Sequence, residues 1–264
     1  MGFISNLING VNKMTNKKAN GYVIYKGASL IDPDSEIVVI AQIGKSQNAK
    51  TGSMIQTQII RTDIDPLLAS KNGSDYAICG NCPHRGNSHN DPTKKTAKNR
   101  SCYVTLMHAP LTTYKQFKKG AYPELNGHDQ IAEIARGRKV RIGTYGDPSA
   151  VPSYIWDSLL SLASGHTAYS HQANIIGADF RSDLFMTSAD SLVEAKNAWQ
   201  HNKRTFRVIK NINEVEKDKE ILCPASEEAG KRTNCLKCGL CAGSQIQAKS
   251  IAIVAHGNGS KYVA

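Results

Sequence analysis

All seven cysteines of this chain fall in two groups, and their spacing is that of metal ligands. The first group is Cys79-Gly-Asn-Cys82 with Cys102 further along, and the second is Cys223 followed by Cys235-Leu-Lys-Cys238-Gly-Leu-Cys241. A Cys-x-x-Cys loop brings two thiolates onto one centre, and four thiolates complete either a tetrahedral zinc ion or an iron-sulfur cluster. In the second group three cysteines at three-residue intervals wrap one centre, and Cys223 supplies the fourth thiolate. That run tilts toward a [4Fe-4S] cluster, because structural zinc favours two separated pairs. Gly239 and Gly243 permit the tight turns that aim backbone amides at the sulfurs. In the first group His84 or His89 would complete a Cys3His zinc site. Three cysteines alone would instead leave one iron of a cluster open to a small molecule.

Those groups bracket a succession of short apolar runs. Cys102–Leu106, Lys139–Gly143, Thr167–Ser170, Leu184–Thr187, Thr205–Ile209, Glu220–Cys223 and Ser250–Ala255 read as strands. Between them Thr112 to Lys119 sets Tyr114 and Phe117 on one side of a helix. Pro152 suits a first helical turn before Ile155, Leu159 and Leu162, and Ser191-Leu-Val-Glu194 reads as a capping box. Strands joined by crossovers favour a parallel sheet, and seven of them curled round predict an α/β fold with a partial (β/α) barrel. An open doubly wound sheet is the alternative, although no Gly-x-Gly-x-x-Gly loop follows the first strand. In a barrel the residues just after each strand gather at one mouth, where active sites form. They are His108, Tyr145, Asp147, His171, Gln172, Ser188, Asp190, Lys210, Cys223, Ser226 and His256, with His108, His171, Lys210 and His256 the candidates for catalysis. Each could equally be an ordinary turn or cap residue.

Ahead of this lie residues 1–20, an amphipathic helix with Phe3, Leu7 and Val11 on its stripe, and residues 21–78, a β-rich extension. The extension's strands are Gly21–Tyr25, Glu36–Ala41 and Met54–Ile60. Residues 79–264 form the barrel and its cysteine-rich end. Gly2 resembles an acylation site, but Asn6 stands where Ser or Thr is required. There is no secretory leader pattern and no run of eighteen apolar residues, so a cytoplasmic protein without a membrane span is expected. The net charge of +11 favours polyanions.

The motifs support a resemblance. Cys79-x-x-Cys82 ahead of Cys102-Tyr-Val, with Gly143-Thr-Tyr-Gly-Asp-Pro148 after the next strand, resembles the radical S-adenosylmethionine (SAM) enzymes. The spacing between Cys82 and Cys102 departs from that family's Cys-x-x-x-Cys-x-x-Cys. The resemblance implies a partial β/α barrel and a reactive [4Fe-4S] cluster on Cys79, Cys82 and Cys102. It also implies a SAM contact through Tyr145, Gly146 and Asp147, and an auxiliary cluster on the second group. The chain as a whole, through Cys-Gly-Asn-Cys-Pro-His-Arg and Arg141-Ile-Gly-Thr-Tyr-Gly-Asp-Pro148, is similar to uncharacterised proteins encoded by bacteriophages. That implies a host-cytoplasmic phage protein acting on an unknown substrate.

Two other readings stay open. One is a zinc-stabilised nucleic-acid-binding protein contacting phosphates through Arg136, Arg138, Lys139 and Arg141. The other is a barrel hydrolase or nuclease using His108, Asp147, His171 or His256.

Overall fold

The computed structural model describes residues 19–44, 49–173 and 180–263. The helix expected over residues 1–20 therefore lies almost wholly outside the described residues, as does Gly2.

Among the described residues ten strands form two five-stranded sheets. The first contains β1 (Gly21–Ala28), β2 (Glu36–Gln42), β3 (Ile55–Arg61), β4 (Lys139–Tyr145) and β5 (Gly165–Thr167), in that spatial order. β1, β2 and β3 pair antiparallel, whereas β3–β4 and β4–β5 pair parallel. The β-rich segment is thus continuous with the strands that follow it. The second sheet is parallel throughout and runs β6 (Tyr169–Ser170), β7 (Met186–Ala189), β8 (Thr205–Ile209), β10 (Ser250–Val254), β9 (Glu220–Leu222).

One residue joins the sheets. The run Thr167–Ser170, expected as one strand, pairs with β4 through its first part and with β7 through its second. Ala168 lies between, its amide donating to the Cys241 carbonyl at 2.9 Å and its carbonyl accepting from the Met186 amide at 3.0 Å. Parallel neighbours therefore succeed one another from β3 across to β9.

Two strand expectations are corrected. Cys102–Leu106 is not a strand, because the Arg100 guanidinium donates to the carbonyls of Cys102 and Val104, both at 2.9 Å, and holds the segment as a loop. β7 begins at Met186 rather than Leu184, because the amides of Leu184 and Phe185 both donate to the Arg181 carbonyl in a turn.

The larger core follows from the continuous apolar runs of the first sheet. Ile37, Val38, Val39, Ile40 and Ala41 of β2 are all fully buried, so this strand is covered on both faces. The helix Ser153–Leu160 adds Ile155, Trp156 and Leu159, and the Trp156 indole N–H donates to the Pro148 carbonyl at 2.9 Å. Burying one such aliphatic side chain contributes about 1.5–3 kcal/mol. A smaller cluster under the second sheet holds Met186, Cys223, Ala225, Ile251 and Ile253. Asp65 caps the helix Pro66–Asn72 through the amides of Leu67 and Leu68, and Ser191 caps Leu192–Gln200 through the amide of Glu194.

Candidate metal centre

Side chains alternate across a strand, so residues two apart share a face. Gln56 and Gln58 of β3, Arg141 and Tyr145 of β4, Tyr169 of β6, Ser188 of β7, Phe206 and Val208 of β8, and Ile253 of β10 all line one cavity of about 500 Å³. Residues just past the parallel strands complete it: Asp147, His171, Asp190, Cys223 and His256. Eight of the eleven residues expected at strand ends therefore line one concavity, which spans both sheets. Gln172, Lys210 and Ser226 stand outside its lining, and His108 lies within it.

The first cysteine group enters from the short helix Tyr76–Cys79 and the loop after it. Gln172 clamps that loop, its amide nitrogen donating to the Cys79 carbonyl at 3.0 Å and its oxygen accepting from the Asn81 amide at 3.3 Å. Gly80 makes the clamp feasible: its φ is +52°, and a Cβ there would sit 2.2 Å from the Gln172 oxygen. Arg85 fastens the far side through a 2.6 Å ion pair with buried Asp75. Cys102 is brought in by its amide, which donates to the His84 carbonyl at 3.0 Å. Burial pushes the Cys79 thiol well above its ordinary pKa, and the Asp75 carboxylate with neighbouring Cys82 and Cys102 adds to the shift. Burial likewise raises Cys102, with Arg100 opposing and Cys82 reinforcing.

The second group closes from three directions. Cys223 follows β9, and its amide donates to the Ala252 carbonyl at 2.8 Å. Cys235–Cys238 is a single helical turn capped by the Asn234 side chain, with Gly239 in the left-handed conformation at its end. Cys241 follows, and the chain then turns at Gly243, where a Cβ would meet the Asp183 carbonyl oxygen at 2.1 Å. Burial raises the Cys241 thiol strongly, with Cys223, Cys235 and Cys238 each adding. Burial also raises Cys223. None of the seven cysteines is in a disulfide.

The spacing of the sulfurs bears on the metal. Among the described residues, the one set of three or more metal-binding side chains with ligand atoms all within 4.8 Å of each other is His84, His171 and Asp190. No three sulfurs of either cysteine group meet that limit. Zinc–sulfur bonds of about 2.3 Å would hold tetrahedral sulfurs roughly 3.8 Å apart, so both groups are more open than one zinc ion requires.

Arg141 lies between the two groups and is 6 % exposed. It stands between Val140 and Ile142 in β4 and, by strand alternation, points with Gly143 and Tyr145 into the cavity, a charge inside an apolar run that is the sequence signal for it. One guanidinium nitrogen donates to the Tyr103 hydroxyl, the group lies over the Tyr169 ring, and Nε has no partner. No carboxylate pairs with it among the described residues. A buried cation is costly unless it is paired or hydrogen-bonded, and the acidic groups acting on Arg141 are Tyr103 and Tyr169 first, then Cys235 and Cys241. Arg141 is therefore turned inward, away from any phosphate at the surface. Arg138 is likewise committed, to the carbonyls of Ile43 and Ser53, and Arg136 pairs with Glu133.

The remaining candidates separate clearly. Asp147 accepts from the amides of Ser149 and His171, both at 2.9 Å, and from the Gln172 side chain at 3.1 Å. Its visible work is to hold the turn carrying His171 and Gln172. The Tyr145 hydroxyl is buried without a partner beside Cys79. His89 uses both ring nitrogens inside its own loop, with the Thr96 carbonyl and the Asp91 amide, and does not face the cysteines. His256 stacks on Tyr103 with ring centroids 5.4 Å apart. Lys210 is exposed. No protein-family model, curated protein or solved structure matches the chain, so function has to be argued from the site itself.

Proposed function

We propose that the chain is an iron-sulfur protein that binds a cluster at each cysteine group and accepts a small molecule in the cavity between them. The observation that carries this is the convergence of both groups on one cavity, Cys79, Cys82 and Cys102 on one side and Cys223, Cys235 and Cys241 on the other. The donors fit: thiolates suit iron-sulfur centres, the sulfurs are spread more widely than zinc needs, and Arg141 supplies a buried positive charge to balance an anionic cluster. Three thiolates on the first group leave one coordination position for a ligand, and about 500 Å³ is within the usual range of small-molecule sites.

In the finer reading the strands from β3 to β9 curl as a partial barrel and the ligand is SAM. A reduced cluster would then supply one electron for cleavage of SAM to methionine and a 5′-deoxyadenosyl radical, which abstracts hydrogen from the substrate. The chain's own contribution is positioning and exclusion of water. Gln172 fixes the Cys79–Cys82 loop, Asp147 fixes Gln172 and His171, and the Tyr145 hydroxyl is free to donate to a sulfur.

Anaerobic purification followed by iron, sulfide and zinc quantification tests the proposal. Iron and sulfide are expected, Cys82→Ser removing the first cluster and Cys238→Ser the second. Zinc without sulfide would sink it. In reduced samples 5′-deoxyadenosine should form, with Cys102→Ser abolishing it and Asp147→Ala weakening SAM binding by loosening the turn. Intact clusters that neither bind nor cleave SAM would leave the iron-sulfur reading and remove the SAM chemistry.

A further inference from the structure

His84, His171 and Asp190 come from three separate places: the turn after Cys82, the end of β6 and the end of β7. They meet at the cavity wall. His84 Nε2 lies 2.9 Å from Asp190 Oδ1 and His171 Nε2 lies 3.3 Å from Asp190 Oδ2, and all three ligand atoms fall within 4.8 Å of one another. Short as these contacts are, both Nε2 atoms and Oδ1 are buried without a well-aligned hydrogen bond. The atoms converge on a point rather than on each other.

The outer contacts suit a metal ligand set. His84 Nδ1 lies 2.8 Å from the Ser101 hydroxyl. With the proton on Nδ1, donated to the Ser101 hydroxyl, the Nε2 lone pair is free to take a cation; in the other tautomer Nε2–H donates to Asp190, a proton that a metal ion would displace. His171 is oriented by its backbone amide, which donates to Asp147 at 2.9 Å, and the two imidazoles stand edge to face at 74°. Two imidazoles and one carboxylate with open positions are the donor set of a mononuclear divalent transition ion.

We infer that His84, His171 and Asp190 form a third metal site, beside the first cysteine group, whose Cys82 His171 also contacts, for one divalent first-row transition ion. Its open positions face the cavity, where an oxygen- or nitrogen-bearing group of a substrate would coordinate. The inference goes beyond the cluster reading and does not depend on it. His84 belongs to this site rather than to the cysteines.

Cobalt(II) is the probe. The full chain, with its cysteine sites filled and loosely held metal removed by chelator, is titrated with Co²⁺ under anaerobic conditions. One ion per chain should bind with the visible bands of nitrogen and oxygen ligation and without thiolate-to-cobalt charge transfer. Asp190→Asn and His171→Gln should each weaken binding by roughly a hundredfold, and Ser101→Ala, which only releases His84, by about tenfold. Sulfide content should stay constant in all three. Ser101→Ala keeps the test open if a ligand variant fails to fold. Unchanged affinity in both Asp190→Asn and Ser101→Ala, or a charge-transfer band marking cobalt on cysteine, would overturn the site. Protein that carries zinc at its cysteines would defeat the cluster reading yet leave this titration interpretable, because zinc-filled thiolates are equally closed to cobalt.

Discussion

At the scale of single residues the fold shows where charge is at work. Arg207 is 3 % and Glu220 1 % exposed, and they form a bidentate pair at 2.8 and 2.6 Å between β8 and β9, on either side of β10. Removing one partner leaves the other charge buried, so Arg207→Ala should lower unfolding free energy by about 3–5 kcal/mol in a denaturant titration. An Arg207→Met, Glu220→Leu double variant should recover most of that loss, since neither charge then remains. Arg136→Ala, which breaks an exposed pair, should leave the denaturation midpoint unchanged. A recovery that fails to occur would mean that the donation from Arg207 to the Glu214 carbonyl, and not the ion pair, is what the sheet needs. The same residue-level logic explains what could be read in the chain. Cysteine spacing singled out both cysteine groups as candidates because neighbours in sequence share a loop. His84, His171 and Asp190 were each visible as candidates, but nothing in a linear sequence relates positions that far apart. Gln172 and Asp147 tie the loop before His84 to the turn that carries His171.

At the scale of elements, most strands were legible because buried parallel strands are short apolar runs bounded by polar turns. Cys102–Leu106 has the same composition and is a loop, since Arg100 captures its carbonyls. Composition alone carries no trace of that capture. The junction at Ala168 was also illegible, because a strand shared by two sheets looks like one strand. β5 carries a titratable group next to this junction, His166, which is 8 % exposed and whose Nε2 lies 2.8 Å from the Leu184 carbonyl. Burial depresses its pKa, outweighing the Leu184 carbonyl and Asp183, which act in the opposite sense. The folded chain therefore keeps this imidazole neutral at pH values where the unfolded chain, with an ordinary pKa of about 6.5, has begun to protonate it. The unfolded state binds more protons there, so stability falls as pH drops below that value and stops falling once the depressed folded pKa is passed. His166→Gln can still donate to the carbonyl. In metal-free protein its melting temperature should vary less than that of the unmodified chain as pH falls from about 7 to about 5, and an identical slope would remove His166 as the cause.

At the scale of the molecule the two sheets are unequally supported. The first rests on a continuous core running from Val23 through Ile37–Ala41, Ile55, Ile59 and Ile60 to Trp156 and Leu159. The second rests on Met186, Ala225, Ile251, Ile253 and Cys223, so one of its few core side chains is also one of the proposed ligands. Apolar burial scales with the area removed from water, which leaves the second sheet with less of its own. Metal binding adds its free energy to whatever it folds, and under the proposed reading it would tie Cys235, Cys238 and Cys241 to the edge strand β9 through Cys223. The raised pKa values of Cys223 and Cys241 point the same way: without metal these thiols stay protonated and neutral, and the segment from Cys223 to Cys235 is held by its own turn hydrogen bonds and by the Cys235 amide donating to the Lys50 carbonyl. Loss of the second centre should therefore loosen one part of the molecule rather than unfold all of it. In amide hydrogen exchange, Cys238→Ser should speed exchange in β8, β9 and β10 while β2 and β3 remain as protected as before. The Ala168 amide, bonded to the Cys241 carbonyl, should mark the boundary and exchange with the second sheet. Uniform deprotection of both sheets would mean instead that the strand shared at Ala168 couples them into a single cooperative unit, and that the cysteine centre supports the whole fold.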